Sequence, residues 1–274
     1  MKRTFAFVLL SLFSAQLFAW SGMGHDVVVE IAKRHLTPKA KEGIARYMPY
    51  DITRDSRWMD KHRSDPELLY MYHFHEQCIN LETLEYDPNA QVEKGDIMRG
   101  LFLAEYNLSH REHLSDSVVV LNIRMLLHFM GDLHCPVHIG VPGIWFPKPP
   151  YREDKGKWYW KGTAYQSFHK LIDRAPGILN PDLTAVQLAE KLDKKIPRSR
   201  SRKWTRGDFV DWTNDAARSG FRIYDYFPPL WEIPDSPEPK YIPDDFLDNT
   251  EAILNEALLK AGYRLAHVLN NCFR

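Results

Sequence analysis

The chain has little cysteine, no excess charge of either sign and no long apolar run beyond its first residues. Its three cysteines, Cys78, Cys135 and Cys272, are an odd number, which leaves at least one thiol unpaired in an exported protein. A Cys78–Cys272 bridge is open to the chain, and the sequence leaves the distance between the two undetermined. Cys135 reads as a small packing residue. Lys plus Arg and Asp plus Glu both number 36. No whole-molecule charge therefore draws the protein to nucleic acid or to an anionic membrane, and an acidic ligand has to be met by a local site. Internal repeats and low-complexity tracts are not evident. Strand-like alternation is scarce, with one short candidate at Trp158–Tyr159–Trp160.

What is present suits a core. The 274 residues fit one large domain or two small ones, and 44% of them are apolar. Lys2 and Arg3 open the chain, followed by an apolar segment from Phe5 to Phe18 that is too short to span a bilayer comfortably. Residues 1–19 read as a signal peptide cut after Ala19, and residues 20–274 as a single domain. The expected location is periplasmic or secreted, with no stable membrane association after processing and no protein partner implied.

Helical spacing organises most of the remainder. Val27, Val28, Ile31, Ala32 and His35 mark one face, and Thr37-Pro38 starts a second helix toward Met48. Further helices are expected over about 94–109, 116–134, 183–192, 208–226 and 244–271. The expectation is a mainly α, single-domain multi-helix bundle with a metal cluster at the end of the central helices. Gly140 to Gly162, with four prolines and six aromatics, reads as a long functional loop; Pro228 to Pro243 reads as a surface strap.

The chemistry concentrates in Leu121–His138, LNIRMLLHFMGDLHCPVH. Its apolar residues surround the helix, which marks an interior position, yet it carries His128, Asp132, His134 and His138. Burying so many ionisable groups is costly unless they are paired or bind metal. Residues four apart share a helix face, so His128 with Asp132, and His169 with Asp173, can each grip one cation. Zinc accepts imidazole nitrogen and carboxylate oxygen.

These segments resemble the zinc-dependent nucleases of the S-one/P-one type, which are similar to zinc-dependent phospholipase C. Trp20-Ser-Gly-Met-Gly-His25 resembles the family's mature start, where the terminal Trp amine and carbonyl and a nearby His bind zinc. Asp60-Lys-His-Arg63 resembles a zinc-binding Asp followed by a phosphate-binding Arg. Tyr72-His73-Phe74 resembles a ligand His before a base-stacking aromatic. His128 to His138, His169 to Asp173, and Gly262-Tyr-Arg-Leu-Ala266 match further family segments.

The resemblance implies three zinc ions. One is held by Asp60, His73, His128 and Asp132, a second by His138, His169 and Asp173, and a third by Trp20 and His25 with Asp132 shared. It implies hydrolysis of single-stranded RNA or DNA, or a nucleotide, to 5′-phosphorylated products by a metal-bridging hydroxide. Asp60 and Asp132 serve the catalytic metals, and Arg63 neutralises developing phosphate charge. Phe74 and Glu76 meet the base. The chain departs from the family pattern at Cys135 and Ile172, and no Gly-Gly-Asn segment precedes His169.

The remaining histidines, His35, His62, His110, His113, His134 and His267, read as surface or packing residues, with His62 nearest a functional loop. The basic run Arg198 to Arg206 reads as a solvated, mobile turn in preference to a set of phosphate contacts that would make binding salt-dependent. Two other functions stay open: a phospholipase C acting on phospholipid headgroups, and a non-catalytic exported protein with structural zinc. The three protein ligands His138, His169 and Asp173 leave a fourth place open, which favours catalysis over a closed structural site.

Overall fold

The computed structural model describes residues 20, 22–62, 65, 77–80, 82–89, 97–140, 157–228, 233 and 238–274. Residues 1–19, Arg63, His73, Phe74, Glu76 and most of the 140–162 loop lie outside the described residues.

Ten α-helices carry the described fold: α1 (Gly22–His35), α2 (Pro38–Tyr47), α3 (Trp58–His62), α4 (Ile97–Ser109), α5 (Asp116–His134), α6 (Phe168–Leu179), α7 (Ala185–Asp193), α8 (Arg198–Trp204), α9 (Phe209–Gly220) and α10 (Phe246–Cys272). The mainly α expectation holds. No described helix is long and apolar enough to cross a membrane. Local chemistry starts several of the helices. Thr37 accepts from the Ala40 N–H ahead of Pro38, Ser167 accepts from Lys170, and Thr184 and Asp208 each form a reciprocal capping box.

Helix α5 is the axis. From Met125 to His134 every side chain is buried, because α4, α9, α10 and α1 surround it. Helices α1 and α10 approach closely at Gly262, where an added Cβ would lie 2.5 Å from the Ile31 side chain. Glycine is needed there for the backbones to meet. The consequence for the site is positional: the start of α1, the end of α5 and the start of α6 converge.

Two small sheets pin the chain on either side of that convergence. Strands β1 (Gln77–Asn80), β2 (Glu85–Tyr86) and β3 (Ile139–Gly140) order as β2-β1-β3, with Gln77 opposite Ile139 in parallel register. This pairing fixes the backbone immediately after His138. Strands β4 (Trp158–Trp160), β5 (Thr163–Tyr165) and β6 (Lys240–Tyr241) order as β5-β4-β6. The two-residue turn between β4 and β5 has Lys161 and Gly162 at φ 45° and 74°, the primed hairpin geometry that matches strand twist. That hairpin feeds α6.

The structure corrects one point of the sequence reading, adds a second and answers a third that the sequence left open. The basic run 198–206 begins as helix α8, because Trp204 is buried against the Tyr263 ring; a mobile turn would leave that indole in water. Helix α6 continues through Pro176, although proline ordinarily disfavours a helix interior. Cys272 is a buried free thiol, with its Sγ 3.8 Å from the Glu105 carbonyl, so the bridge to Cys78 is not formed.

Asp193 at the end of α7 ties three helices. It accepts from Tyr263 Oη at 2.6 Å, Arg34 Nε at 2.9 Å and His35 Nε2 at 3.0 Å. Burial alone raises its pKa, but these donors outweigh burial and hold it below 3.8. A carboxylate with a lowered folded pKa stabilises the fold fully above its unfolded value, and that contribution disappears as pH falls through the folded value. Asp193→Asn is therefore expected to cost about 1–3 kcal/mol near neutrality and to flatten the fall of melting temperature with acid. Thermal melts from pH 7 to below the carboxylate range check both. An unchanged acid slope would remove Asp193 from the cause.

Candidate metal centre

Asp132, on the last turn of α5, is fully buried, and its carboxylate faces three imidazoles. Oδ1 lies 3.4 Å from His25 Nε2 and 3.6 Å from His138 Nδ1, and Oδ2 lies 3.2 Å from His128 Nε2. The α1 residue His25 stacks on His128 with centroids 4.3 Å apart. Asp60, on α3, reaches His128 Nε2 at 3.7 Å. A second group adjoins: His138 Nε2 is 3.2 Å from His169 Nε2 and 3.9 Å from Asp173 Oδ1, and His169 Nε2 is 3.3 Å from Asp173 Oδ2. Seven of the nine expected ligand positions thus converge. Trp20 is the eighth, fully buried beside them.

Trp20 is anchored twice. Its indole donates to the Gly131 carbonyl at 3.0 Å, and its backbone N–H points at the Cys135 sulfur. Gly131 leaves room for His25: a Cβ there would sit 2.7 Å from His25 Nδ1. The main chain at Trp20 therefore lies against the cluster.

The donor set can be tested for fit to zinc. Both nitrogens of His25 and all carboxylate oxygens of Asp132 and Asp173 are buried and make no hydrogen bond. Such atoms are normally satisfied, and leaving a charged group unsatisfied costs several kcal/mol. Direct charge-assisted bonds would close to about 2.7–2.9 Å, whereas most of these pairs stand at 3.2–3.6 Å. Two ligands at about 2.0–2.1 Å from a tetrahedral zinc lie roughly 3.3 Å apart. The spacing thus suits atoms aimed at shared cations. Two buried triads, His25–Asp60–His128 and Cys135–His138–Asp173, have the geometry to hold a metal.

Supporting bonds aim the rings. His128 Nδ1 is 3.1 Å from the Ser56 carbonyl, so Nε2 faces Asp132 and Asp60. His138 Nε2 faces the second group, 3.2 Å from His169 Nε2. Fixing an imidazole through its far nitrogen is how ligand histidines are oriented. Electrostatics follow. Burial pushes His128 down, but Asp132 and Asp60 outweigh it and raise it to about 9. Burial raises Asp132, and the facing imidazoles carry it well below the usual carboxylate range.

His134 points away. Its Nδ1 is 2.8 Å from the Met130 carbonyl and its Nε2 2.7 Å from Arg264 Nη1. Burial and the Arg264 charge push its pKa to about 3, so the ring is neutral and accepts from the guanidinium. This sets it outside the donor groups, in keeping with a packing role.

One feature was not singled out in the sequence. Lys170 is buried with Nζ 3.5 Å from Asp173 Oδ2, and burial lowers its pKa despite the pull of Asp173. A lysine between the ligand-like His169 and Asp173 was a readable signal. The Cys135 thiol, held far above its normal pKa by burial and by Asp173, is neutral beside the second group. Around α3, Arg124 lies over Trp58 at 4.3 Å and Trp58 stacks on His62 at 4.0 Å. His62 is half-exposed next to Asp60.

A family model described as S1/P1 nuclease matches residues 20–274. The chain is 24% identical over 180 residues to Endonuclease 2 of Arabidopsis thaliana, a match that covers 57% of this chain and 56% of that protein. It thus spans little more than half of the relative's length.

Proposed function

Because the chain belongs to the S1/P1 nuclease family, we propose that it is an exported, zinc-dependent phosphodiesterase that cleaves single-stranded RNA or DNA and leaves 5′-phosphorylated products. The observation that carries the reading is the set of buried oxygens and nitrogens on Asp132, Asp173 and His25 that face neighbouring imidazoles and carboxylates without hydrogen bonds. A protein that kept those charges solely for structure would be expected to close them into direct pairs.

Three zinc ions are assigned to the donor groups. Asp60, His73, His128 and Asp132 hold the first; His138, His169 and Asp173 hold the second; Trp20 and His25 hold the third, with Asp132 shared. Zinc, when bound, supplies Lewis acidity: it makes a nucleophile available near neutral pH and offsets charge on the phosphodiester oxygens. The chain's own residues do the rest. Asp132 sets the spacing of the two groups it serves. Ser56 holds the His128 ring in register. Arg63 is assigned the phosphate contact that strengthens as charge builds in the transition state. Phe74 is assigned the stacked base, and Glu76 an acceptor for a base N–H.

Processing before Trp20 gives the site its ninth donor, since an amide nitrogen does not ligate zinc as a free amine does. Support for this comes from Trp20, whose backbone is buried at the cluster. The test compares protein beginning at Trp20 with protein carrying one extra residue before it. The extended form is expected to bind one zinc fewer and to lose at least about 10-fold in kcat/KM on single-stranded oligonucleotides, since even outer-shell changes cost about 10–100-fold. Metal analysis and product-end mapping read the result. Equal zinc content and equal rates would refute the role of the terminus, and preferential hydrolysis of phospholipid vesicles would refute the substrate.

A further inference from the structure

We infer that α8 and its flanks form a second, sequence-indifferent contact for the phosphate backbone of a long single-stranded substrate, away from the scissile bond. The inference rests on the phosphodiesterase reading and specifies its substrate as polymeric.

Residues 194–206 carry seven lysines and arginines and no acidic residue, in a protein whose total charge is zero. All seven are exposed. Among the described residues none of these cations makes a side-chain ion pair or hydrogen bond; the nearest acid along the chain, Asp193, is engaged by Tyr263, Arg34 and His35.

The arrangement is internally unfavourable. Arg198 and Arg202 are like charges at i,i+4, which opposes the helix by a few tenths of a kcal/mol. Arg198 and Arg200 sit at the positive end of the helix dipole, and Pro197 supplies no side-chain cap. The helix nevertheless forms, because Trp204 is buried against Tyr263 and the Trp204 carbonyl accepts from Arg264 Nε at 2.9 Å. Tertiary anchoring thus holds a row of unneutralised cations in fixed relation to one another. A polyanion relieves that repulsion and releases its own counterions on binding. Arginine, four of the five cations from Arg198 to Arg206, binds phosphate through its planar fork. The same Arg264 contacts His134, two residues from Asp132, so one side chain ties the end of the basic helix to the helix that carries Asp132.

The experiment uses zinc-loaded protein beginning at Trp20. A variant with Arg198→Gln, Arg200→Gln, Arg202→Gln and Lys203→Gln is compared with the parent on a long single strand and on a dinucleotide. A charge-keeping variant, with the three arginines changed to lysine, controls for folding. For single strands the salt slope of log K falls by about 0.7 per phosphate contact, so the glutamine variant is expected to lose a slope of about 3 in log(kcat/KM) against log salt on the long substrate. Its dinucleotide rate is expected to match the parent's. The lysine variant is expected to keep most of the slope. An unchanged slope in the glutamine variant overturns the inference. So does a loss confined to binding of anionic phospholipid vesicles, which would make the helix a membrane contact. Failure of the phosphodiesterase reading shows separately, as cleavage of neither substrate by the parent. Fluorescence anisotropy with the long strand then still reports on the helix: loss of binding in the glutamine variant supports the contact, and no change overturns it.

Discussion

Asp132→Asn is expected to remove two zinc ions rather than one and to lower turnover on single-stranded substrates on the order of 1000-fold, equivalent to about 4 kcal/mol of transition-state stabilisation. The reason is geometric. Asp132 Oδ1 faces His25 and Oδ2 faces His128, so one carboxylate serves two donor groups. Asparagine keeps the volume but offers one neutral acceptor, and its amide presents hydrogens where a cation is expected. Asp173→Asn provides the contrast. Asp173 faces His138, His169, Lys170 and Cys135 but none of the residues of the first group, so its loss is expected to empty one position and leave the other two filled. Metal counting by mass spectrometry, alongside kcat on one oligonucleotide, separates the two variants. Three zincs in Asp132→Asn protein would end the shared-ligand assignment.

Arg264→Met is expected to be the most destabilising single change away from the metal donors, at about 3–5 kcal/mol. The guanidinium is buried and makes three directed contacts: Nη2 to Asp215 Oδ2 at 2.6 Å, Nη1 to His134 Nε2 at 2.7 Å, and Nε to the Trp204 carbonyl at 2.9 Å. Removing it leaves a carboxylate, an imidazole and a carbonyl without their donor. Lys260, 3.0 Å from Asp215 Oδ1, softens the loss for that carboxylate but reaches neither other acceptor. In a domain of this size about 1 kcal/mol shifts the melting temperature by 2–4 °C, so a fall on the order of 10 °C is expected. Arg264→Lys keeps the charge without the planar fork and is expected to recover only part of it. A melting temperature within 2 °C of the parent for Arg264→Met would show that the network adds nothing net.

The sequence allowed the main elements to be read because their signals are local. The heavily apolar segment 121–134 with Pro136 behind it reads as a buried helix and is one; its bounds, Asp116 and His134, match the expectation. The i,i+4 pairs of His128 with Asp132 and His169 with Asp173 share a helix face from spacing alone. Where local signals were weak or misleading the reading failed. Helix α3 has five residues, too few for a period to show. The run Arg198–Arg206 has a composition that favours solvation, and only the burial of Trp204 against Tyr263, 59 positions away, makes it helical.

The candidate centre divides the same way. Residue type and spacing were enough to nominate the histidines and aspartates, because zinc chemistry restricts donors to few side chains. They were insufficient to say which nitrogen of each ring faces which oxygen. That depends on Ser56 meeting His128 across 72 positions and on Gly131 making room for His25. His134 shows the limit most clearly. It stands in the same apolar helix as His128 and within reach of the same proline turn, yet Arg264, 130 positions on, turns its Nε2 away from the cluster. The amino-acid order by itself determined that a buried helix would carry ionisable groups needing a partner. The tertiary structure decided which of them face one another, because ring orientation follows from contacts between distant segments that no local pattern encodes.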